Sequence, residues 1–168
     1  MNDKFQNACN RVEQSTPPIW MMRQAGRYQK GYMAMKEDWS FEQMCKLPRI
    51  AAKVAMLPIE QFDFDIAILF SDILFPIEGL GVPLKFDPGP QFEWTINEDN
   101  YKDHSNIGLA IKHMEFQSRA VTATREMLPS NKSLIGFVGG PWTLLNYATG
   151  KNPKLSLKWK TQYLHEVE

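Results

Sequence analysis

The sequence lacks a charge excess: its 168 residues carry 19 Lys plus Arg against 19 Asp plus Glu. A balanced chain has no long-range field of the kind that gathers nucleic acid or an anionic membrane, so neither partner is expected. Cysteine is scarce. Cys9 and Cys45 stand far apart, supply neither a disulfide framework nor a zinc spacing, and fit a reducing cytoplasm. No apolar run approaches the ~20 residues of a membrane span, and the mixed, polar residues 1–11 have no secretory apolar segment. Repeats and low-complexity tracts are absent. Gly139-Gly140-Pro141 lacks both the lysine of a P-loop and the glycine spacing of a dinucleotide fingerprint. His104, His113 and His165 have no paired ligand spacing, so no metal is expected. These exclusions leave a cytoplasmic protein whose anion specificity, if any, comes from a local cluster.

What is present is an ordinary globular balance, 43% hydrophobic and 23% charged, at the length of one domain. Residues 3–12 suit a short opening helix. Pro17 and Pro18 then break the chain before Ile19-Trp20-Met21-Met22, which predicts a short buried strand. Residues 23–32, with two glycines, read as a loop. Ser40 and Gln43 make a capping-box pattern for a helix. Pro48 opens a second helix, with Pro58 kinking or ending it near Phe62. The run 66–70 predicts a strand covered on both faces. A hairpin is expected from 84–86 and 92–94, and a long helix from the helical spacing of Ile107, Ile111, Met114, Ser118 and Val121. Residues 134–138 predict a third buried strand, leading to Gly139-Gly140-Pro141 and a helix with Pro141 in its first turn. A last helix is expected from Leu155. Buried strands alternating with amphipathic helices predict an α/β fold with parallel strands. Three strands leave an open edge, whereas a closed (β/α)₈ barrel needs eight. The expectation is an incomplete (β/α)₈ TIM barrel holding its first three or so βα units.

Working residues of parallel α/β proteins gather at the carboxyl ends of strands. Three such ends carry unusual residues here. Arg23 and Arg27 flank Gln24, Ala25 and Gly26 after the first strand. Guanidinium forks suit carboxylates or phosphates, and Gly26 lets a ligand approach the backbone. The alternative is pairing with surface acids, and spacing does not separate the two. Asp72 follows the strand ending near Phe70, either as an N-cap for a helix starting at Ile73 or as a pocket carboxylate. Tyr147, about two turns into the helix after Pro141, is either a core aromatic or a cleft hydroxyl.

The unbroken stretch Trp20 to Tyr28, WMMRQAGRY, resembles the N-terminal signature of the uroporphyrinogen decarboxylase family. Residues 67–74, AILFSDIL, and 136–144, GFVGGPWTL, resemble two further family segments in the same order. The resemblance covers nearly the whole chain. It implies a (β/α)₈ barrel, usually a homodimer. The implied enzyme is a carboxy-lyase that converts the four acetates of uroporphyrinogen III to methyls without cofactor or metal. By position it implies that Arg23 and Arg27 hold substrate carboxylates, that Gln24, Ala25 and Gly26 shape the cleft, and that Asp72 binds the pyrrole N–H groups. Tyr147 would hydrogen-bond near the reacting acetate.

The chain departs from the family where Gln29-Lys30-Gly31-Tyr32 follows the signature, where Lys36 replaces an arginine, and where Gly140 replaces a more usual alanine. One residue is missing before Phe41, which loosens its match to a cleft-lining phenylalanine. The family's later serine and histidine contacts fall beyond Glu168. Residues 1–168 are therefore expected to be the N-terminal part of a single barrel domain, insoluble, molten or self-associated when alone, and without activity. The rivals are a corrinoid-type methyltransferase of the same superfamily, and a non-catalytic fragment or tetrapyrrole-binding module.

Overall fold

The computed structural model describes residues 2–22 and 24–152. They form two compact units, one running to Asp72 and resuming at Phe116–Phe137, the other built from Ile73–Glu115 and the described residues from Val138 on.

In the first unit, helices α1 (Asp3–Cys9), α2 (Lys30–Asp38), α3 (Phe41–Lys46) and α4 (Pro48–Phe62) precede strand β1 (Ile66–Ile68). Asn2 caps α1 by accepting from the Phe5 N–H. Ser40 and Gln43 complete a reciprocal capping box on α3. Two orphan donors are thereby satisfied, which lets a six-residue helix hold. Pro48 occupies the first turn of α4, and Ala51, Ala52, Val54, Ala55, Met56 and Ile59 form its buried face. The helix continues through Pro58 and stops where Asp63 turns left-handed, φ 54°. The buried Lys132 ammonium fixes that end, donating to the Asp63 carbonyl at 3.0 Å and pairing with its carboxylate at 2.6 Å.

Strand β4 (Ser133–Ile135), after helix α7 (Glu115–Met127), pairs in parallel with β1, Ile66 beside Ser133 and Ile68 beside Ile135. The Ser133 N–H donates to the Asp65 carbonyl and the Leu69 N–H to Ile135. Peptide groups alternate in direction along a strand, so the Ile66 carbonyl points to the opposite edge. Met56, Ile59, Ala67 and Leu128 form the core beneath this sheet, joined by Phe64 and Leu134. Asp65 ties in the N-terminal residues, accepting from the Ile19 N–H at 2.8 Å and from the Asn2 amide at 3.0 Å.

The second unit holds helix α5 (Phe75–Gly79), the antiparallel pair β2 (Leu84–Phe86) and β3 (Pro90–Phe92), and helices α6 (Ile107–His113) and α8 (Pro141–Ala148). A Cβ on Gly79 would lie 3.0 Å from Ala110 Cα, so α5 and α6 approach backbone to backbone there. His113 Nε2 meets Glu78 Oε2 at 2.8 Å across the same contact. His104 Nδ1 sits 2.9 Å from the Leu80 carbonyl, with its ring against Trp94.

The fold is mixed α/β, with two two-stranded sheets and no closed sheet among the described residues. Four sequence expectations are corrected. Residues 19–22 form no strand: Ile19, Met21 and Met22 are exposed, and the β1 edge they would pair with is occupied at Ile66 by a side chain. The helix expected as one piece from 107 is two, broken at Met114, whose N–H turns to the Ala110 and Ile111 carbonyls. The second hairpin strand is 90–92 rather than 92–94. Residues 30–32 already belong to α2, and the helix expected from Leu155 lies outside the described residues.

Candidate active site

The first unit brings together the loop 24–29 and the carboxyl end of β1. Gln24 is 1% exposed, and its Nε2 donates to the Ile66 carbonyl at 2.7 Å. A loop residue thus takes the place of a neighbouring strand on that edge. The Tyr28 hydroxyl donates to the Gln24 carbonyl, and the Tyr28 ring stacks on Phe62 of α4. Gly26 accepts from the Gln29 N–H at 3.0 Å, closing the turn. A Cβ on Gly26 would meet only the Tyr28 ring, at 3.6 Å, so packing does not demand glycine there. Ala25 packs with Tyr32, Met44, Val54 and Phe70. These bonds and contacts lock the loop from both sides and leave the Arg27 guanidinium exposed, without an ion pair among the described residues. Arg23 lies outside the described residues.

Asp72 is half-buried beyond β1. The N-cap position of α5 is Leu74, two residues beyond Asp72. Ser71 beside it accepts from the Gln117 amide at 2.7 Å. Phe70 is held edge-on by Tyr32, centroids 6.0 Å apart, and by Phe41 at 5.7 Å. This aromatic group braces the strand end from which Asp72 departs.

Two buried groups lie within electrostatic reach of these charges, Tyr32 of Arg27 and Cys45 of Asp72. Burial pushes the Cys45 thiol well above its ordinary value, and the Asp72 carboxylate raises it further. Cys45 therefore stays a thiol. The Tyr32 phenol is raised by burial and by Cys45, while Arg27 works against the shift. Both buried groups are neutral at working pH and form an uncharged floor near Arg27 and Asp72. Sequence reasoning missed this floor, because Tyr32 was placed in a loop and Cys45 was weighed only for disulfides and zinc.

Tyr147 lies in the second unit, half-buried on α8. Gly140 is the N-cap of that helix and Pro141 its first turn, as expected. A Cβ on Gly139 would fall 2.6 Å from Leu144 Cδ2 and 3.3 Å from Ile73 Cβ, so the turn into α8 runs too close for a side chain. The Lys151 ammonium stands over the Tyr147 ring, 5.0 Å from its centroid. Among the described residues no group of three or more His, Cys, Asp or Glu could hold a metal ion, and no helix is long and apolar enough to cross a membrane.

The family model described as Uroporphyrinogen decarboxylase (URO-D) matches residues 1–168. Similar curated proteins include the uroporphyrinogen decarboxylase of Anaeromyxobacter dehalogenans, 38% identical over 156 residues, covering 88% of this chain and 45% of that protein. That of Trichlorobacter lovleyi is 39% identical over 155 residues, covering 92% and 46%. That of Carboxydothermus hydrogenoformans is 38% identical over 149 residues, covering 88% and 43%. The chain spans less than half the length of these relatives.

Proposed function

The chain belongs to the uroporphyrinogen decarboxylase family, and from that premise we propose that it forms the N-terminal part of a cofactor-free carboxy-lyase acting on uroporphyrinogen III. The observation that carries the reading is the Gln24–Ile66 bond, which fastens the loop bearing Arg27 to the strand that leads to Asp72, two opposite charges in one unit. A polyanionic macrocycle with pyrrole N–H groups at its centre needs both signs: cations for its rim and one carboxylate for its middle.

Decarboxylation of a pyrrole acetate needs an acceptor for the electron pair of the breaking C–C bond. Protonation of a ring carbon makes the pyrrole cationic, and that ring is the acceptor. The carboxylate leaves as CO₂, the pair neutralises the ring, a proton adds to the exocyclic carbon to complete the methyl group, and the ring carbon gives up the proton it first took, restoring the pyrrole. Asp72 stabilises the positive charge while it exists, and a preorganised group of this kind is worth most in a site shielded from water. Arg23 and Arg27 hold carboxylates that do not react, Gln24, Ala25 and Gly26 shape the loop that presents them, and Tyr147 hydrogen-bonds near the acetate that does.

Residues 1–168 would supply the first βα units of one (β/α)₈ barrel domain, with the rest of the wall coming from further polypeptide. The complete enzyme would act as a cytoplasmic homodimer. The test is Asp72→Asn in the protein with its barrel complete, following coproporphyrinogen formation. Turnover should fall about 10²–10³-fold with substrate binding far less affected. An unchanged kcat removes Asp72 from the chemistry.

A further inference from the structure

We propose that Lys151 is a second ligand, beside Tyr147, for a substrate acetate, and so a specificity-determining residue of the decarboxylation; this rests on reading Tyr147 as part of the substrate cleft. The first observation is placement. The Lys151 ammonium lies over the Tyr147 ring at 5.0 Å from its centroid, although Lys151 is an exposed residue with solvent open to it. An ammonium above the ring face sits roughly 6 Å from the phenolic oxygen. That is about the span one carboxylate bridges when it accepts a bond of ~2.8 Å from each side.

The second observation is backbone cost. Lys151 has φ 60°, directly after Gly150 at φ 68°. The left-handed region favours glycine or asparagine, and a lysine there is held against its preference by the turn. The Lys151 N–H donates to the Asn146 carbonyl at 2.6 Å, which folds the chain back over the last turn of α8. A surface lysine serving only solubility or the helix dipole has no need of this conformation. A cation that must stand over a particular phenol does.

The third observation is the charge pattern. Residues 133–165 contain four lysines, Lys151, Lys154, Lys158 and Lys160, and no Asp or Glu. A neutral protein has thus gathered positive charge on the stretch that carries Tyr147. The ammonium and the phenol together offer two donors to one carboxylate, the ammonium by charge and the phenol by direction.

The test uses natively purified protein, with any associated chain retained, and two stable probes. Uroporphyrin I carries acetates and propionates, whereas coproporphyrin I keeps only propionates. Lys151→Gly suits the left-handed backbone, so thermal stability should hold or rise while uroporphyrin affinity falls about tenfold, the loss of one charge-assisted contact. Lys151→Arg should retain affinity, and coproporphyrin affinity should not change in either variant. Tyr147→Phe separates the two ideas. If it weakens uroporphyrin binding and Lys151→Gly does not, the lysine assignment alone is wrong. If neither variant changes binding, or the parent retains no uroporphyrin, Tyr147 is not in the cleft and both ideas fall. Equal losses for the two porphyrins would show a diffuse field instead of an acetate ligand, and would also overturn the proposal.

Discussion

The Gln24 amide and the Ile66 carbonyl, 2.7 Å apart, close the edge of β1 that faces away from β4. Through this bond the loop bearing Arg27 is fixed to the same strand that delivers Asp72. The site geometry thus depends on one buried side chain that holds no charge.

The first prediction concerns that bond. Gln24 Oε1 is buried and has no donor among the described residues, so the side chain brings a cost along with its bond. Gln24→Met keeps the volume, removes the unpaired acceptor and leaves the Ile66 carbonyl bare. The two changes offset in part, and the expected loss is only about 0.5–1.5 kcal/mol in chemical denaturation. A loss of several kcal/mol would show that the amide holds more than one strand edge.

Asp65 gives the pH dependence. Burial works to raise its pKa, but the Ile19 N–H, the Lys4 ammonium and the Asn2 amide outweigh burial, and the net shift is downward. A carboxyl depressed in the folded state contributes its full stability above the unfolded value near ~3.9, and that contribution disappears as pH falls through the folded value. Acid titration of stability should therefore drop less steeply below about pH 4 in Asp65→Asn than in the parent. Parallel curves would assign the acid sensitivity to other carboxylates.

Local signals in the sequence were legible where one or two residues decide the structure. Ser40 with Gln43, Pro48 in a first turn and Pro141 after Gly140 all formed as expected, because capping and proline geometry act within one turn. Residues 19–22 misled because an apolar run reports only that burial is favourable, whereas a strand also needs a partner edge, and Gln24 occupies it. Nothing in the pattern of a polar loop residue announces that its amide will replace a strand. The start of α2 was hidden for a related reason: Lys30-Gly31-Tyr32 carries a glycine in the first turn and buries only Tyr32. Of the site, Gln24 to Arg27 and Asp72 fall in one unit, and Tyr147 in the other.

Gly79 tests the packing of the second unit. A Cβ there would stand 3.0 Å from Ala110 Cα and 3.1 Å from its carbonyl oxygen, both backbone atoms that cannot rotate away. Gly79→Ala must push α5 from α6 and disturb the contact of His113 with Glu78. The gain from replacing a helical glycine, up to ~1 kcal/mol, is smaller than the ~1–3 kcal/mol of overpacking. Net destabilisation is expected, seen as a lower Tm. A higher Tm would mean the helices separate at little cost.

Arg27 separates binding from structure most cleanly, because the two readings of it predict different measurements. Its guanidinium is exposed and makes no ion pair among the described residues, so folding gains little from it. Arg27→Lys keeps the charge and the aliphatic stem but replaces the planar fork with a point donor. If Arg27 only serves the surface, stability shifts within about 0.5 kcal/mol and nothing else changes. If it clamps a substrate carboxylate, stability still holds, but one charge-assisted bond of the fork is lost, worth ~1.5 kcal/mol or roughly tenfold in affinity. Titration with uroporphyrin I at low and physiological salt reads the difference. The lysine variant should bind more weakly at both, with nearly the parent's salt slope, since the count of cations is unchanged and only the geometry is lost. Equal affinity for parent and variant would make the exposed guanidinium a solvated surface charge, and would leave the anion-binding role to residues other than Arg27.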